Sequence, residues 1–548
     1  MGLSKHFLLL FFGFLILLGF NTKAQNKKYV VYFKDKKGNN PFSLSNPSQF
    51  LSARSIQRRS NQNLPFDSTD LPVSPSYLDS LRFKGAIVLN PLKWLNAAIV
   101  DCPPGLISSI STLPFVISSK PLNSRRNVDS GPRIRSKNGA QSLEYGDSFA
   151  QNAMLGIDSM HAWGFHGENM LIAVMDAGFQ NVNNHLAFSH LFENQKILGV
   201  RDLVARDGSV YEDHWHGGAV LSNIAAYYPN KIIGGAYASS FYLIRSEDAP
   251  TENEIECAYW VAGLELADSI GADILNSSLG YTTFDTQALD YSISMLDGKT
   301  TIASRAASMA ARKGIVVVCS AGNEGNNSGW GGWLSAPSDA DSILCVGSVN
   351  SGQNYSSFSG KGPTADNRIK PDVVAMGSGT TITNVFSNDG ITTQNGTSFS
   401  APIITGFVAG FWQAHPEMTA KEIISMVKNS GSNKDTPNNQ IGWGLPNFIR
   451  AHILTGSKRP IRFPFEVQVY PNPNFGNELY FELIESNAVG LASFEITDVR
   501  GVSIMKNSIS FDLVRQAQKI NISYLKSGVY SIKLEMGGKV FSRKIILQ

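Results

Sequence analysis

The sequence predicts an α/β protein built on a parallel sheet with helices on both faces, preceded by a small α+β unit and followed by a small all-β sandwich. Three observations lead there. Between residues 145 and 457, short apolar runs alternate with amphipathic stretches, as they do in βαβ units. Ahead of them, residues 25–125 mix an alternating run, KYVVYF at 28–33, with short helical segments. Beyond Pro460 the helical pattern stops, and residues 465–548 hold alternating runs separated by Pro, Asn and Gly turns.

Residues 1–24 begin with Lys5 and His6, continue through an apolar run at 7–20 and end in Thr22-Lys23-Ala24, the order of a secretory signal peptide. The run is shorter than the roughly 20 residues a spanning helix needs, so export is expected, with an uncleaved anchor as the alternative. In the N-terminal unit, 47–59 and 104–113 can form helices. Residues 115–118 form a strand, and 86–100 carry two apolar runs around Asn90-Pro91-Leu92. Residues 126–144 lie in an Arg-, Ser-, Gly- and Asn-rich stretch with Arg125, Arg126, Arg133 and Arg135, which reads as an exposed, cleavable linker. In the central region the predicted strands are 171–175, 241–244, 273–277, 315–319 and 343–346, with helices at 254–270 and 301–313 among others. In such a sheet, active residues belong at the carboxyl ends of strands and the amino ends of the helices that follow. The C-terminal runs are 467–470, 479–483, 493–496, 519–522, 529–534 and 540–547.

The 548 residues carry 47 Lys and Arg against 44 Asp and Glu, and 43% are hydrophobic, as in a soluble chain with substantial cores. A net charge of +3 gives no broad basic footprint for nucleic acid. Four cysteines (Cys102, Cys257, Cys319, Cys345) are too few for a disulfide scaffold and read as free buried thiols.

Four positions carry chemistry. Asp176 directly follows the apolar run 171–175, where a carboxylate can orient an imidazole, although Asp is also an ordinary turn residue there. His214 and His216 lie in DHWHGGAV at 213–220, ahead of an apolar helix. A histidine there suits a general base, a solvated loop residue is the bland alternative, and neither HExxH nor paired CxxC supports a metal. Ser398, in NGTSFSAP at 395–402, opens a helical run whose N–H groups can face an oxyanion. An N-cap role is the alternative. Asn323, in SAGNEG at 320–325, follows an apolar strand and can donate an amide to the same oxyanion, a plain Gly-Asn turn being the alternative.

Taken in order, these segments resemble the subtilisin-like serine peptidases: IAVMDAGF around Asp176, HGGAV from His216, SAGNEG around Asn323 and GTSFSAP around Ser398. Ser278-Leu279-Gly280 resembles the edge segment that pairs with an extended substrate, and 359–377 is similar to another stretch of the family. The resemblance implies a subtilisin-like fold and a secreted serine endopeptidase acting through an acyl-enzyme. Ser398 is then the nucleophile, His216 the proton carrier, Asp176 its orienting partner and Asn323 the oxyanion donor, while His214 becomes a solvated neighbour. It departs from the family in Gly218-Ala219, where Thr-His is usual, and in Ala177 after the Asp. No cofactor is implied for the chemistry. The 227–235 loop lacks a carboxylate cluster, so a structural calcium ion is not supported.

The flanks fit the same picture. The N-terminal unit resembles the inhibitory prodomains of these enzymes, with maturation expected in the linker. The C-terminal unit, with Val469-Tyr470-Pro471-Asn472-Pro473 and Thr497-Asp498-Val499-Arg500-Gly501, resembles type IX secretion sorting domains of Bacteroidota, an adhesive or carbohydrate-binding sandwich being the alternative. The implied partners are polypeptide substrates, the chain's own prodomain and the secretion machinery. The implied destination is the cell surface or the medium, across the outer membrane and with no transmembrane helix after signal removal. A non-catalytic surface protein that keeps the fold for binding is the competing reading.

Overall fold

A strand whose residues are buried on both faces must lie inside a sheet that is covered twice, and all six residues of β1 (Leu171–Asp176) are buried. The structure, a computed structural model, describes residues 25–122, 145–456, 466–484, 490–511, 517–536 and 539–548. The signal peptide and the linker 126–144 fall outside the described residues. Seven strands form the central sheet: β1, β2 (Ile197–Asp202), β3 (Ser240–Arg245), β4 (Ile274–Ser277), β5 (Val316–Ser320), β6 (Leu344–Val349) and β7 (Val373–Met376). Their spatial order is β7-β6-β5-β4-β1-β3-β2, and every pairing is parallel. The five predicted strands are all present. β2 and β7 are additions, β2 being an edge strand with only Asp202 buried.

The chain divides into two units. The first holds the described residues 25–46 and 67–122, with 253–255. Strands Lys27–Phe33, Ile87–Leu92, Ala97–Cys102 and Val116–Leu122 form its antiparallel sheet, and helices Pro75–Phe83 and Pro104–Ser111 complete it. Val31, Leu81, Ala98, Val100 and Ile110 are wholly buried in its core. Residues 47–66, inside the range expected to build this unit alone, pack with the second.

The second unit carries the parallel sheet, α1 (Ala53–Asn61), α2 (His216–Ala225), α3 (Glu254–Ile270) from Glu256 onward, α4 (Ile302–Arg312) and α5 (Thr397–Ala414). α5 is apolar around its whole circumference, and all but Gln413 of its 18 residues are buried, so it lies in the interior. The C-terminal residues form antiparallel sheets of three and four strands whose inner faces bury Phe481, Phe494, Ile496 and Ile545. Strand Ser503–Phe511 was not predicted, and most of its described side chains are exposed. Cys102, Cys257, Cys319 and Cys345 are free and buried. Among the described residues no helix is long and apolar enough to cross a membrane.

Candidate active site

β1 delivers Asp176 at its carboxyl end with the side chain fully buried. Its Oδ1 accepts hydrogen bonds from His216 Nδ1 at 2.7 Å and from the Ala177 N–H at 2.8 Å. His216 opens α2, and Gly217 makes the approach possible: a Cβ there would lie 2.2 Å from the Gly178 carbonyl oxygen and 2.8 Å from Asp176 Cβ. Burial opposes the charged imidazole, but the Asp176 carboxylate outweighs it, so the pKa of His216 sits above its ordinary 6.5.

The loop ahead of His216 is held by groups that the sequence did not flag. Arg245, the register partner of Asp176 across β1 and β3, forms an ion pair with Asp213 Oδ1 at 2.7 Å. Burial pushes Asp213 up to about 6 against the pull of Arg245, with Asp202, Asp207 and Glu212 adding to the rise. His214, expected to be solvated, is half-buried, its ring 6.3 Å from that of His216 at 28°.

Ser398 lies in the first turn of α5, where backbone N–H groups lack partners within the helix and the dipole favours negative charge. Its hydroxyl donates to the Ser278 carbonyl oxygen at 3.3 Å, and Ser278 Oγ donates back to the Ser398 carbonyl at 2.8 Å. Among the described residues no hydrogen bond joins Ser398 to His216. The His216 ring packs 5.8 Å from that of Phe399, the next residue along.

Asn323 follows β5 on the turn before a short 3-10 helix. Its Oδ1 accepts from the Thr397 N–H at 2.9 Å and from Thr397 Oγ1 at 3.0 Å. A main-chain donor on that oxygen fixes the amide orientation and leaves Nδ2 as the group available to a ligand. Ser278, Leu279 and Gly280 follow β4 directly, and Tyr281 then pairs antiparallel with Ala336. A Cβ on Gly280 would meet Ser335 Oγ at 2.1 Å and one on Gly322 would meet it at 2.7 Å, so Ser335 stands between the two segments. It is buried, and only the close packing of two glycines against it, invisible in sequence, marks the position.

Residues 167–444 match the Subtilase family, 28–137 the Bacteroidota peptidase S8 propeptide domain and 468–548 the secretion system C-terminal sorting domain. The chain is 27% identical over 298 residues to subtilisin DY of Bacillus licheniformis, covering 54% of this chain and 93% of that protein. It is 27% identical over 356 residues to subtilisin E of Bacillus subtilis (strain 168), covering 65% and 80%. Among solved structures, the MycP3 protease from the type VII (ESX-3) secretion system aligns at TM-score 0.45 and 20% identity, covering 58% of this chain and 93% of that one. The sorting domain marks a protein exported across the outer membrane to the medium or the cell surface. With a matched region that spans the sheet, α2 and α5, and a propeptide ahead of it, the chain belongs to the subtilase family and is a subtilisin-like serine peptidase.

Proposed function

We propose that the chain is a serine endopeptidase that cleaves polypeptides through an acyl-enzyme, with Ser398 as nucleophile, His216 as base and then acid, and Asp176 as orienting partner. The short Asp176–His216 hydrogen bond carries this reading, because it sets the proton on Nδ1 and leaves Nε2 with a lone pair. In the reaction the Ser398 hydroxyl gives up the Ser278 carbonyl and passes its proton to His216 Nε2. Attack on the substrate carbonyl then makes a tetrahedral intermediate, whose oxyanion takes hydrogen bonds from Asn323 Nδ2 and the Ser398 N–H. Asp176 stabilises the imidazolium without taking its proton. His216 returns that proton to the leaving amine, and water repeats the sequence to free the acid.

Ser278, Leu279 and Gly280 pair with the extended substrate, and buried Ser335 spaces that segment from the Gly322 turn. The reaction calls for no cofactor. The propeptide acts as the intramolecular inhibitor, removed by cutting within 126–144, and the sorting domain engages the secretion machinery.

Fluorophosphonate labelling tests the assignment. Mass spectrometry of the secreted protein should find the adduct on Ser398, and Ser398→Ala should abolish both labelling and peptide hydrolysis. Hydrolysis that survives Ser398→Ala removes the assignment; no adduct and no hydrolysis in the parent leave a binding protein on a peptidase fold.

A further inference from the structure

Three charged residues end three neighbouring strands in one register: Asp202 of β2, Arg245 of β3 and Asp176 of β1. Register partners in a parallel sheet point to the same face, so the Arg245 guanidinium belongs to the face on which Asp176 meets His216. Asp202 is committed to its own turn. Its carboxylate accepts the N–H groups of Val204, Ala205 and Arg206, at 2.8, 3.2 and 2.6 Å, and lies 3.6 Å from Arg245. Asp213, three residues ahead of His216, makes the shortest pair with Arg245, at 2.7 Å, while half-exposed Asp248 stands off at 3.8 Å.

That pair adds a charged tie to a loop held by backbone hydrogen bonds. The Phe179 N–H donates to the Val210 carbonyl at 2.8 Å, Asn181 to Tyr211 at 2.9 Å and Gln180 to His214 at 3.2 Å, so 210–214 lies along the turn that follows Asp176. Only a glycine fits at 178, where a Cβ would stand 2.3 Å from the His214 nitrogen and 2.6 Å from Asp213 Cβ. The pair itself is incompletely satisfied: Arg245 Nε and Asp213 Oδ2 are buried with no hydrogen-bond partner among the described residues. Asp202, Asp207 and Glu212 also act on Asp213, Asp248 faces Arg245, and the rings of His214 and His216 complete the ionisable surroundings. A buried pair of this kind adds little to stability, which points to position as what it supplies.

We propose that Arg245 and Asp213 are positioning residues for the catalytic base: their ion pair holds the loop so that the His216 ring stays aligned with Asp176. The proposal rests on His216 as the base, as described above. It has a consequence in acid. Burial lifts Asp213 to about 6 against the pull of Arg245, so its carboxylate takes up a proton as pH falls through that value and the charged pair is lost. The folded chain binds this proton more tightly than the unfolded chain does, so the loop slackens without a loss of fold stability from this group.

Steady-state kinetics on one peptide from pH 5 to pH 9 test this with Asp213→Asn, which keeps the side chain's size and removes its charge. At pH 8 kcat should fall about tenfold with KM little changed. The parent's advantage should vanish near pH 5, where its own Asp213 is neutral. Arg245→Ala should match that loss at pH 8, and Arg245→Lys, which restores a cation, should recover part of it. A ratio of parent to Asp213→Asn that stays constant across the range, a rise in KM at constant kcat, or a lysine variant no better than alanine overturns the proposal. Where Arg245→Ala does not fold, Asp213→Asn decides alone. The Ser398→Ala chain adds a readout that needs no turnover, the low-field magnetic resonance signal of the Nδ1 proton that His216 shares with Asp176. At pH 8 that proton should exchange with solvent about tenfold faster once Asp213→Asn is added, and an unchanged exchange rate overturns the proposal. A parent that hydrolyses nothing would count against His216 as base, while this signal still reports whether Asp213 holds the ring.

Discussion

Ser278 and Ser398, 120 residues apart, exchange hydrogen bonds: each hydroxyl donates to the other's carbonyl oxygen, at 2.8 Å from Ser278 and 3.3 Å from Ser398. The pair ties the end of β4, where the proposed substrate-pairing segment begins, to the first turn of α5. Ser278→Ala deletes one buried donor, which should lower stability by about 1 kcal/mol. If the contact also sets the nucleophile's turn, kcat/KM should fall about tenfold, the equivalent of about 1.4 kcal/mol of barrier. Thermal melts and steady-state kinetics on one peptide separate the two effects; a lower Tm with unchanged kcat/KM makes the contact structural only.

The Asp176–His216 pair predicts a pH profile. His216 must be neutral to accept the proton, and its pKa is held above 6.5, so kcat/KM should rise with pH through a midpoint above that value. Asp176→Asn should cut kcat by about 10⁴ and move the midpoint of the residual activity downward, since the charge opposing desolvation is gone. The same shift acts on stability. The pairing of charged His216 with Asp176 contributes fully below the unfolded value near 6.5 and is lost as pH rises through the higher folded value. An acid limb that stays in place in Asp176→Asn would count against this coupling.

Asn323 offers a sharper test of the oxyanion role. Thr397 holds its Oδ1, so the amide needs no reorganisation to present Nδ2. Asn323→Ala should lower kcat by about 10²–10³ with little change in KM, the mark of a contact made only in the transition state. A rise in KM at constant kcat would show that Asn323 binds ground-state substrate instead.

How far the sequence discloses all this depends on the kind of signal. Strands β1, β4, β5 and β6 are buried apolar runs and are legible as such, whereas β2, with Leu198 exposed and Asp202 alone buried, carries no pattern that separates it from a loop. Asp176, His216, Asn323 and Ser398 stand out because each follows a strand or opens a helix with small neighbours. Arg245 and Ser335 do not, since their roles arise from strand register and from glycine packing across distant segments. The placement of 47–66 was hidden for a related reason: Arg58 and Arg59 look like an exposed basic pair until Asp268, 209 residues beyond Arg59, is brought against them.

Glu247 carries the last prediction. It is buried just beyond β3, and its Oε1 accepts from Tyr281 Oη at 2.6 Å and from Ser246 Oγ at 3.1 Å, while the Ser246 N–H donates to the Asp176 carbonyl at 3.0 Å. Burial pushes its pKa up to about 8; the Tyr281 hydrogen bond works against the rise, and the charges of Glu252 and Asp176 add to it. Between the ordinary 4.5 and about 8 the folded chain therefore keeps a proton that the unfolded chain releases, so stability should fall as pH rises through that window. Glu247→Gln keeps an acceptor for Tyr281 but cannot titrate. Melting curves in a Ser398→Ala background, which suppresses self-digestion, should show the variant gaining on its parent from pH 5 to pH 9. Parallel curves across that range would place the proton elsewhere, and a variant that loses ground at high pH would mean that the ionised carboxylate is the form Tyr281 and Ser246 are built to hold.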